Sequence, residues 1–252
     1  MSTNAAQSVL GKHTICHVLI LDKSGSMTSV RQSTIDGFNE NLIALRKEQE
    51  NDSEIEQKLY FVTFNDSVSC DIWDKPVNQI KDLTTNTYSP SGSTALYEAI
   101  GKTVQRLSEE IRDQLTSQSV NVVVTIFTDG GENSSSQEWR DFGKLKTILE
   151  EFRSSRAWTF TFIGCDENTL KTAKELGFSV NNTLNYVPSE KGTKNAFDTL
   201  RTSRISYVSK VKSAVRARST DNKEAADELM SLTTQDFFAE NPKEDTDIKD
   251  NT

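Results

Sequence analysis

The sequence has 252 residues, 35% of them hydrophobic, and carries a formal net charge of −8 at pH 7. This length and composition allow one sizeable core and do not require two domains. No stretch approaches the roughly 18 apolar residues of a membrane span, and the polar N-terminus lacks the basic start and apolar stretch of a signal peptide. We therefore expect a cytoplasmic protein that has no membrane partner.

Strand-like and helix-like segments alternate along most of the chain. In chain order, we predict a strand at 16–21, a helix at 33–47, strands at 59–64 and 68–72, a polar loop at 81–93, a helix at 94–115, a strand at 120–127, a helix at 137–153, a strand at 158–163, a helix at 167–176, a short strand at 178–180 and a final basic helix. Such alternation is typical of an α/β fold with a doubly wound, mostly parallel central sheet and helices on both faces. The turn sequence Asn65-Asp66-Ser67 predicts a hairpin, which would place one antiparallel strand at the edge of the sheet.

The two ends of the chain are predicted to lie outside this domain. We assign residues 1–14 to an N-terminal arm, 15–218 to one domain and 219–252 to an acidic tail, whose composition favours disorder. Just before the tail, the stretch 201–218 carries six basic residues and no acidic one. No aromatic platform accompanies these basic residues, so a solvated face is favoured over a nucleic-acid or membrane site.

The three cysteines, Cys16, Cys70 and Cys165, are widely separated in the sequence. Each lies in or beside an apolar, strand-like run, which favours small buried side chains over disulfide or zinc partners. This use of cysteine is typical of a reducing compartment. The two histidines, His13 and His17, flank the first strand and are expected to be structural.

Three loops rich in oxygen ligands leave strand ends or lie beside them. They are Asp-Lys-Ser-Gly-Ser at 22–26, Ser-Gly-Ser-Thr-Ala-Leu at 91–96 and Thr-Asp-Gly-Gly-Glu-Asn at 128–133. All three offer hard oxygen atoms without histidine or cysteine, and their glycines let the backbone turn closely around a small object. In a parallel sheet the functional crevice lies beyond the carboxyl ends of the strands. We therefore expect the three loops to form one site.

These loops resemble the metal-ion-dependent adhesion site of the von Willebrand factor type A domain family. Five side chains match the family's D-x-S-x-S, threonine and aspartate elements, namely Asp22, Ser24, Ser26, Thr94 and Asp129. The sequence at 61–66 is similar to the family's second strand and turn, and the resemblance covers roughly 15–217. Within the family, the chain looks most like cytosolic members of bacterial or phage type.

The resemblance implies a metal site with a defined use. It implies that Ser24 and Ser26 bind a divalent cation directly, and that Thr94 binds it directly or through water. Asp22 and Asp129 would act mainly through water or by accepting hydrogen bonds from the ligands. The implied cation is Mg²⁺, with Mn²⁺ and Ca²⁺ as alternatives. The implied function is a metal-dependent protein-interaction module, whose protein partner supplies an aspartate or glutamate carboxylate to the ion. We expect a monomer with no nucleic-acid partner.

Two other functions remain open on the sequence alone. One is a scaffold that acts through the basic helix and the acidic tail and uses the metal only structurally. The other is a metal-dependent hydrolase that uses Asp22. Against an enzyme, the sequence has no Gly-x-Ser-x-Gly nucleophile turn and no phosphate-binding Lys-Thr loop. We therefore expect no enzymatic activity.

Several residues close to the three loops have two interpretations each. Glu132 and Asn133 lie on the rim of the expected site, where they tune partner choice or are simply solvated. Thr94 is also placed to cap the helix that follows it. Met27 and Trp139 are expected to pack in the core rather than to form surface contacts. For the loop at 22–26, the alternative to a metal site is a capped turn without metal.

Overall fold

The computed structural model describes residues 12–220 and 222–238. Within these residues the elements are β1 (His13–Asp22), α1 (Arg31–Glu50), β2 (Ile55–Phe64), β3 (Val68–Pro76), α2 (Leu96–Glu110), α3 (Arg112–Thr116), β4 (Val120–Phe127), α4 (Phe142–Ser154), β5 (Trp158–Gly164), α5 (Glu167–Glu175), β6 (Thr183–Asn185), α6 (Glu190–Ser219) and α7 (Lys223–Gln235). Short 3-10 turns lie at Gly25–Val30, Val77–Gln79 and Val180–Asn182.

The described strands form one sheet with β1 near its centre. The strand order is β3-β2-β1-β4-β5-β6, and all neighbouring strands are parallel except β2 and β3. The predicted fold class is confirmed, and the antiparallel edge strand is β3. The chain winds outward from β1 on one side and from β4 on the other, so the order reverses between these two strands. In doubly wound sheets this reversal opens a crevice at the carboxyl ends of the strands.

Helices cover both faces of the sheet and create two cores. Alternate side chains of a strand point to opposite faces. Ile15 and Leu19 of β1 therefore join a core beneath α1, α6 and α7, whereas Val18 and Ile20 join a second core beneath α2, α4 and α5. Because β1 and β4 are buried on both faces, they contain continuous apolar runs, at 18–21 and 122–124.

Two predicted helices differ most from the structure in their bounds. The helix predicted at 94–115 is divided at Ile111 into α2 and α3. The helix predicted at 137–153 begins later, at Phe142. Its start is set by Asp141, whose carboxylate accepts a hydrogen bond from the backbone N–H of Lys144 at 3.1 Å. Such an N-cap satisfies a donor that the first helical turn leaves free.

The short strand predicted at 178–180 lies further along the chain, at Thr183–Asn185. Gly177 ends α5 with a φ of 82°, a left-handed conformation that favours glycine. The next residue, Phe178, is buried with its ring against those of Phe160 and Phe162. Because the side chain of Phe178 is packed into the core below α5, the chain makes one further turn before β6 pairs with β5.

The prediction that the acidic tail is disordered from residue 219 onward is wrong for the first half of this segment. Residues 223–235 form α7, which packs against α6. The reason is spacing, because Ala226, Met230 and Thr233 recur at helical intervals and are buried. The acidic side chains occupy the other face, so composition alone misses this amphipathic pattern. Residues 239–252 of the predicted tail lie outside the described residues, as do residues 1–11 of the predicted arm.

The end of α7 is fastened to the segment that precedes β6. Asn182 accepts a hydrogen bond from the backbone N–H of Phe237 at 2.9 Å and donates one to the carbonyl of Thr234 at 2.8 Å. The backbone N–H of Phe238 donates to the carbonyl of Asn181 at 2.8 Å. Phe237 is 5% exposed and packs against the ring of Tyr207 on α6. This segment is therefore an integral part of the core.

We predict that Phe237→Ala lowers the free energy of unfolding by about 3 kcal/mol, because it empties a buried aromatic position. Leu232→Ala is the matched control, since Leu232 lies on α7 but is 53% exposed, and it should cost less than about 0.5 kcal/mol. Urea unfolding followed by circular dichroism measures both values. Equal, small effects would mean that the segment after α7 does not pack as described.

The cysteines behave differently from one another. All three are free thiols; Cys16 is buried, Cys165 is half-buried and Cys70 is exposed. The expectation of three buried side chains is therefore confirmed for Cys16 and wrong for Cys70. The reason is that Cys70 lies on β3, an edge strand whose sequence looks apolar but which is only partly covered.

Among the described residues, no helix combines the length and apolar character that a membrane crossing needs.

His17 lies in the core beneath α6 as a neutral side chain. Its Nε2 is 2.9 Å from Oε1 of Gln57, and the side chain is 4% exposed. Burial and, to a smaller extent, the nearby guanidinium of Arg204 lower the pKa of His17 to about 3. Arg204 is itself buried and makes a two-pronged ion pair with Glu48, with N–O distances of 3.0 and 3.1 Å.

The neutral state of His17 makes folding stability depend on pH. The pKa of His17 is about 3 in the folded protein, against an ordinary value of 6.5. Unfolding therefore takes up a proton at any pH between these two values, and stability is lost as the pH falls below about 6.5. At pH 4.5 this loss amounts to about 2.7 kcal/mol relative to pH 7. We predict that His17→Gln loses about 2.7 kcal/mol less stability than wild type over this range. Parallel urea titrations at the two pH values test this, and identical losses would show that folded His17 takes up the proton.

Candidate metal centre

Asp22, the last residue of β1, links the first loop to the loop after β4. Its carboxylate is 0% exposed. Oδ1 accepts a hydrogen bond from the backbone N–H of Ser24 at 2.6 Å, which turns the chain directly after the strand. Oδ2 accepts one from the hydroxyl of Thr128 at 2.6 Å, and Thr128 directly follows β4. One carboxylate therefore joins the two strand ends at the point where the strand order reverses.

The first loop is also fastened to the loop that precedes α2. The backbone N–H of Gly25 donates to the carbonyl of Gly92 at 3.0 Å, and that of Ser91 donates to the carbonyl of Lys23 at 2.8 Å. Tyr88 adds a hydrogen bond from its hydroxyl to the carbonyl of Asp22 at 2.6 Å. Through these contacts, the first and second loops hold each other in a fixed relative position.

The hairpin turn between β2 and β3 supports the second loop from outside. The carboxylate of Asp66 accepts a hydrogen bond from the backbone N–H of Ser93 at 3.0 Å, and the amide of Asn65 donates to the carbonyl of Ser91 at 2.9 Å. Gly92 has a φ of 75°, and any side chain there would collide with the carboxylate of Asp66. This position therefore requires glycine for both its conformation and its space.

The predicted serine and aspartate ligands meet between the three loops. The hydroxyls of Ser24 and Ser26 are 3.1 Å apart, and the hydroxyl of Ser26 donates to Oδ1 of Asp129 at 2.6 Å. Ser24 is buried, whereas Ser26 is exposed and Asp129 is half-buried. The cluster therefore has one side open to an external molecule.

Thr94 joins the same cluster. A methyl group placed on Gly130 would lie 3.5 Å from Oγ1 of Thr94, 3.9 Å from Oγ of Ser26 and 4.0 Å from Oδ2 of Asp22. One point thus has oxygen atoms from all three loops around it. The structure therefore brings together all five residues that the sequence singled out.

The two carboxylates of this cluster are harder to ionise than ordinary aspartates. Burial raises the pKa of Asp22 to about 6, although hydrogen bonds from Thr128 and Ser24 oppose the rise. Burial also raises the pKa of Asp129, and the hydroxyl of Ser26 opposes that rise. Each of these shifts means that the negative charge lacks full compensation. An added positive charge would stabilise both carboxylates.

We predict that Thr128→Val raises the pKa of Asp22 above its value of about 6 by about one pH unit, because the variant keeps the shape of the side chain and removes a donor to the carboxylate. Thr125→Val is the matched control, since Thr125 lies on β4 three residues before Thr128 but bonds to Thr161 at 3.0 Å. The measurement is an NMR titration of the Asp22 carboxyl carbon in EDTA. An unchanged pKa in Thr128→Val would contradict the described link.

The donor set of the cluster fits a small, hard cation. It consists of three hydroxyls and two carboxylates, all of them oxygen donors of the kind that Mg²⁺ prefers. Among the described residues, no group of three or more histidine, cysteine, aspartate or glutamate side chains is arranged to hold a metal ion.

Glu132 and Asn133 have roles that the sequence did not indicate, and Oδ1 of Asn133 accepts a hydrogen bond from the backbone N–H of Thr94 at 2.7 Å. The carboxylate of Glu132 accepts a hydrogen bond from the backbone N–H of Tyr97 at 2.8 Å, and the hydroxyl of Ser135 accepts one from that of Glu98 at 3.0 Å. These side chains cap α2, so the expectation that Thr94 caps this helix is wrong. The only available signal was the capping chemistry of Glu, Asn and Ser, which does not identify a helix so far away in sequence.

The other side chains of this region lie as expected. Met27 is fully buried, and Trp139 is 2% exposed with its ring against Gly101 of α2. Both predictions of core packing are therefore confirmed.

No protein family model matches the chain, and no curated protein matches it. Among solved structures, the chain is similar to the vWF domain of the type V pili tip protein Mfa5 from Porphyromonas gingivalis, with a TM-score of 0.50 and 11% identity over 76% of this chain and 96% of that chain. The chain has a von Willebrand factor type A-like fold. This is the fold that the resemblance of the five residues to the adhesion site implied.

Two further structures are similar at lower scores. The ArnB paralog VWA2 from Sulfolobus acidocaldarius has a TM-score of 0.48 and 14% identity, covering 74% of this chain and 44% of that chain. Proximal thread matrix protein 1 from the mussel byssus, with a zinc-occupied MIDAS motif, has a TM-score of 0.47 and 11% identity, covering 74% of this chain and 47% of that chain. The chain therefore spans less than half of the length of these two proteins.

Proposed function

We propose that this chain is a metal-dependent protein-interaction module and not an enzyme. The observation that carries the proposal is the convergence of oxygen donors from three loops at the reversal of strand order. The proposed metal ligands, direct or through water, are Asp22, Ser24, Ser26, Thr94 and Asp129. The proposed cation is Mg²⁺, whose preference for oxygen ligands matches this set.

The charge of the donor set supports a role in binding a partner. Hydroxyls carry no charge, so a divalent cation held by three of them and by two carboxylates at greater distance keeps much of its positive charge. Such an ion attracts a further anionic ligand from outside. We propose that the partner is a protein that supplies an aspartate or glutamate carboxylate through the open side beside Ser26.

The positions of the histidines argue against a hydrolase. Both histidines of the sequence lie in β1 before the site, at His13 and His17. His13 pairs with Asn121 at 2.8 Å and His17 with Gln57 at 2.9 Å, and both are buried. Neither side chain is available beside Asp22 as a general base.

The surroundings of the basic helix argue against the scaffold alternative. The basic residues of 201–218 lie on α6. Three of them pair with acidic residues of α1 or of the segment after it: Arg204 with Glu48, Lys212 with Asp52 and Arg216 with Glu54. These charges are matched within the chain, so they are less available to an external acidic partner.

We predict that Ser26→Ala weakens Mg²⁺ binding at least about tenfold, because it removes one proposed ligand without changing the net charge. Ser29→Ala is the matched control, since Ser29 is an exposed serine three residues further on, whose hydroxyl points to the carbonyl of Ser26 at 3.4 Å. Isothermal titration with Mg²⁺ and with Mn²⁺ provides the affinities. Equal affinities in both variants and wild type would rule out the proposed ligand set.

The same variants test the role of the metal in partner binding. Proteins captured by immobilised wild type in Mg²⁺, but not in EDTA and not by Ser26→Ala, would be identified by mass spectrometry. The captured partner should lose binding when one aspartate or glutamate is changed to asparagine or glutamine. Capture that persists in EDTA would contradict a metal-dependent module.

A further inference from the structure

One residue of the loop after β4 holds the backbone of Thr94 from both sides. Oδ1 of Asn133 accepts a hydrogen bond from the backbone N–H of Thr94 at 2.7 Å. The backbone N–H of Asn133 donates to the carbonyl of Thr94 at 3.0 Å. We call this reciprocal pair of hydrogen bonds the Thr94–Asn133 clamp. It ties the threonine of the proposed metal site to the loop that carries Asp129.

The clamp continues along the first turns of α2. Glu132 accepts hydrogen bonds from the backbone N–H of Tyr97 and from the hydroxyl of Ser135, at 2.8 and 2.6 Å. Glu98 returns a bond, because its Oε2 accepts from the backbone N–H of Ser136 at 2.8 Å. The loop after β4 is therefore fixed to α2 at successive residues, which keeps Asn133 in register with Thr94.

The clamp also explains why the hydroxyl of Thr94 is left for the site. A threonine just before a helix commonly uses its side chain as the N-cap. Here the donors of the first turn are taken by Glu132 and Ser135. The hydroxyl of Thr94 thus lies beside the oxygens of Ser26 and Asp22, around the position that a methyl group on Gly130 would take.

We infer that Asn133 is a positioning residue for the cation site, acting through Thr94. This inference rests on the proposed function and adds a residue to it. A cation binds tightly only where its ligands are held in place before it arrives, and partners of metal ligands typically contribute about 10- to 100-fold in affinity. Asn133 holds the backbone of Thr94 at a fixed distance from the loop of Asp129. Its side chain is exposed apart from this bond, so the fold has little other need for it.

Asn133→Ala is the decisive variant because it removes the side-chain bond of the clamp, the acceptor for the backbone N–H of Thr94, without changing any charge near the cation. We expect the Kd for Mg²⁺ to rise by about 10- to 100-fold. Asn39→Ala is the matched control. The side chain of Asn39 also holds a backbone segment, because it makes two hydrogen bonds with the backbone of Leu83, at 2.7 and 3.0 Å, between α1 and the loop before α2. It should leave the Kd within about twofold of wild type, as expected of a residue that supports no proposed ligand.

A second variant covers the case in which Asn133→Ala folds poorly. Asn133→Asp keeps an oxygen that accepts from the N–H of Thr94, so it should bind Mg²⁺ at least as tightly as wild type. A loss of affinity in Asn133→Asp, or an unchanged Kd in a folded Asn133→Ala, would overturn the positioning role while leaving the proposed function intact.

A metal-free measurement separates the clamp from the proposed function. In EDTA, the amide hydrogen of Thr94 should exchange with solvent several-fold faster in Asn133→Ala than in Asn39→Ala, because only the first variant removes its acceptor. If wild type does not bind Mg²⁺, the proposed function fails, and this exchange result still tests the clamp. Equal exchange rates in the two variants would show that Asn133 does not hold Thr94.

Discussion

The buried carboxylate of Asp22 is the interaction on which the site depends. Burying a carboxylate away from water costs free energy unless hydrogen bonds from the protein replace those from water. Here the backbone of Ser24 and the hydroxyl of Thr128 provide the replacement, each at 2.6 Å. One of these donors follows β1 and the other follows β4. Movement of either loop would leave the buried carboxylate short of a donor, so this single side chain constrains both loops. The parallel pairing of the two strands sets the distance that Asp22 then spans.

The sequence was sufficient to predict the sheet and to bring the loops after β1 and β4 together, for one shared reason. Residues 120–127 are mostly apolar, and such a stretch implies a strand covered on both faces. Parallel strands end at the same edge, so loops that follow them necessarily meet. The loops of Ser26 and Asp129 follow the neighbouring parallel strands β1 and β4 and are expected to meet for this reason. Thr94 comes after the antiparallel strand β3, so its place in the cluster was implied by the family resemblance and not by the strand pattern.

What the sequence could not provide depends on contacts between distant parts of the chain. The helix α7 exists because Met230 and its neighbours find a surface on α6, whereas local composition favours disorder. Glu132 looks like a solvated loop residue until α2 is placed beside it. The position of β6 depends on where Phe178 finds space among the rings of Phe160 and Phe162. Each of these outcomes depends on tertiary packing, which local composition does not reveal.

The same distinction applies to charge. The sequence shows a basic stretch followed by an acidic one, which invites the idea of two opposed binding surfaces. In the fold, α6 lies against α1, and Arg204 and Lys212 meet acids that are distant in sequence. Within the part of the chain that the structure describes, much of the apparent basic surface is therefore matched internally. Uncompensated charge is instead found at the site, where burial raises the pKa of both Asp22 and Asp129.

The placement of Glu132 is consistent with a site that keeps its cation electropositive. A third carboxylate beside Asp22 and Asp129 would neutralise more of the charge of a divalent ion and weaken its attraction for an external acid. Glu132 belongs to the same loop as Asp129, but its oxygens accept hydrogen bonds from the backbone N–H groups of Tyr97, Ser134 and Ser135. The fold thus uses this acid to cap α2 and to hold the loop, and the hydroxyls remain the principal donors around the proposed ion. Stability of the loop and reactivity of the cation are in this way served by separate carboxylates.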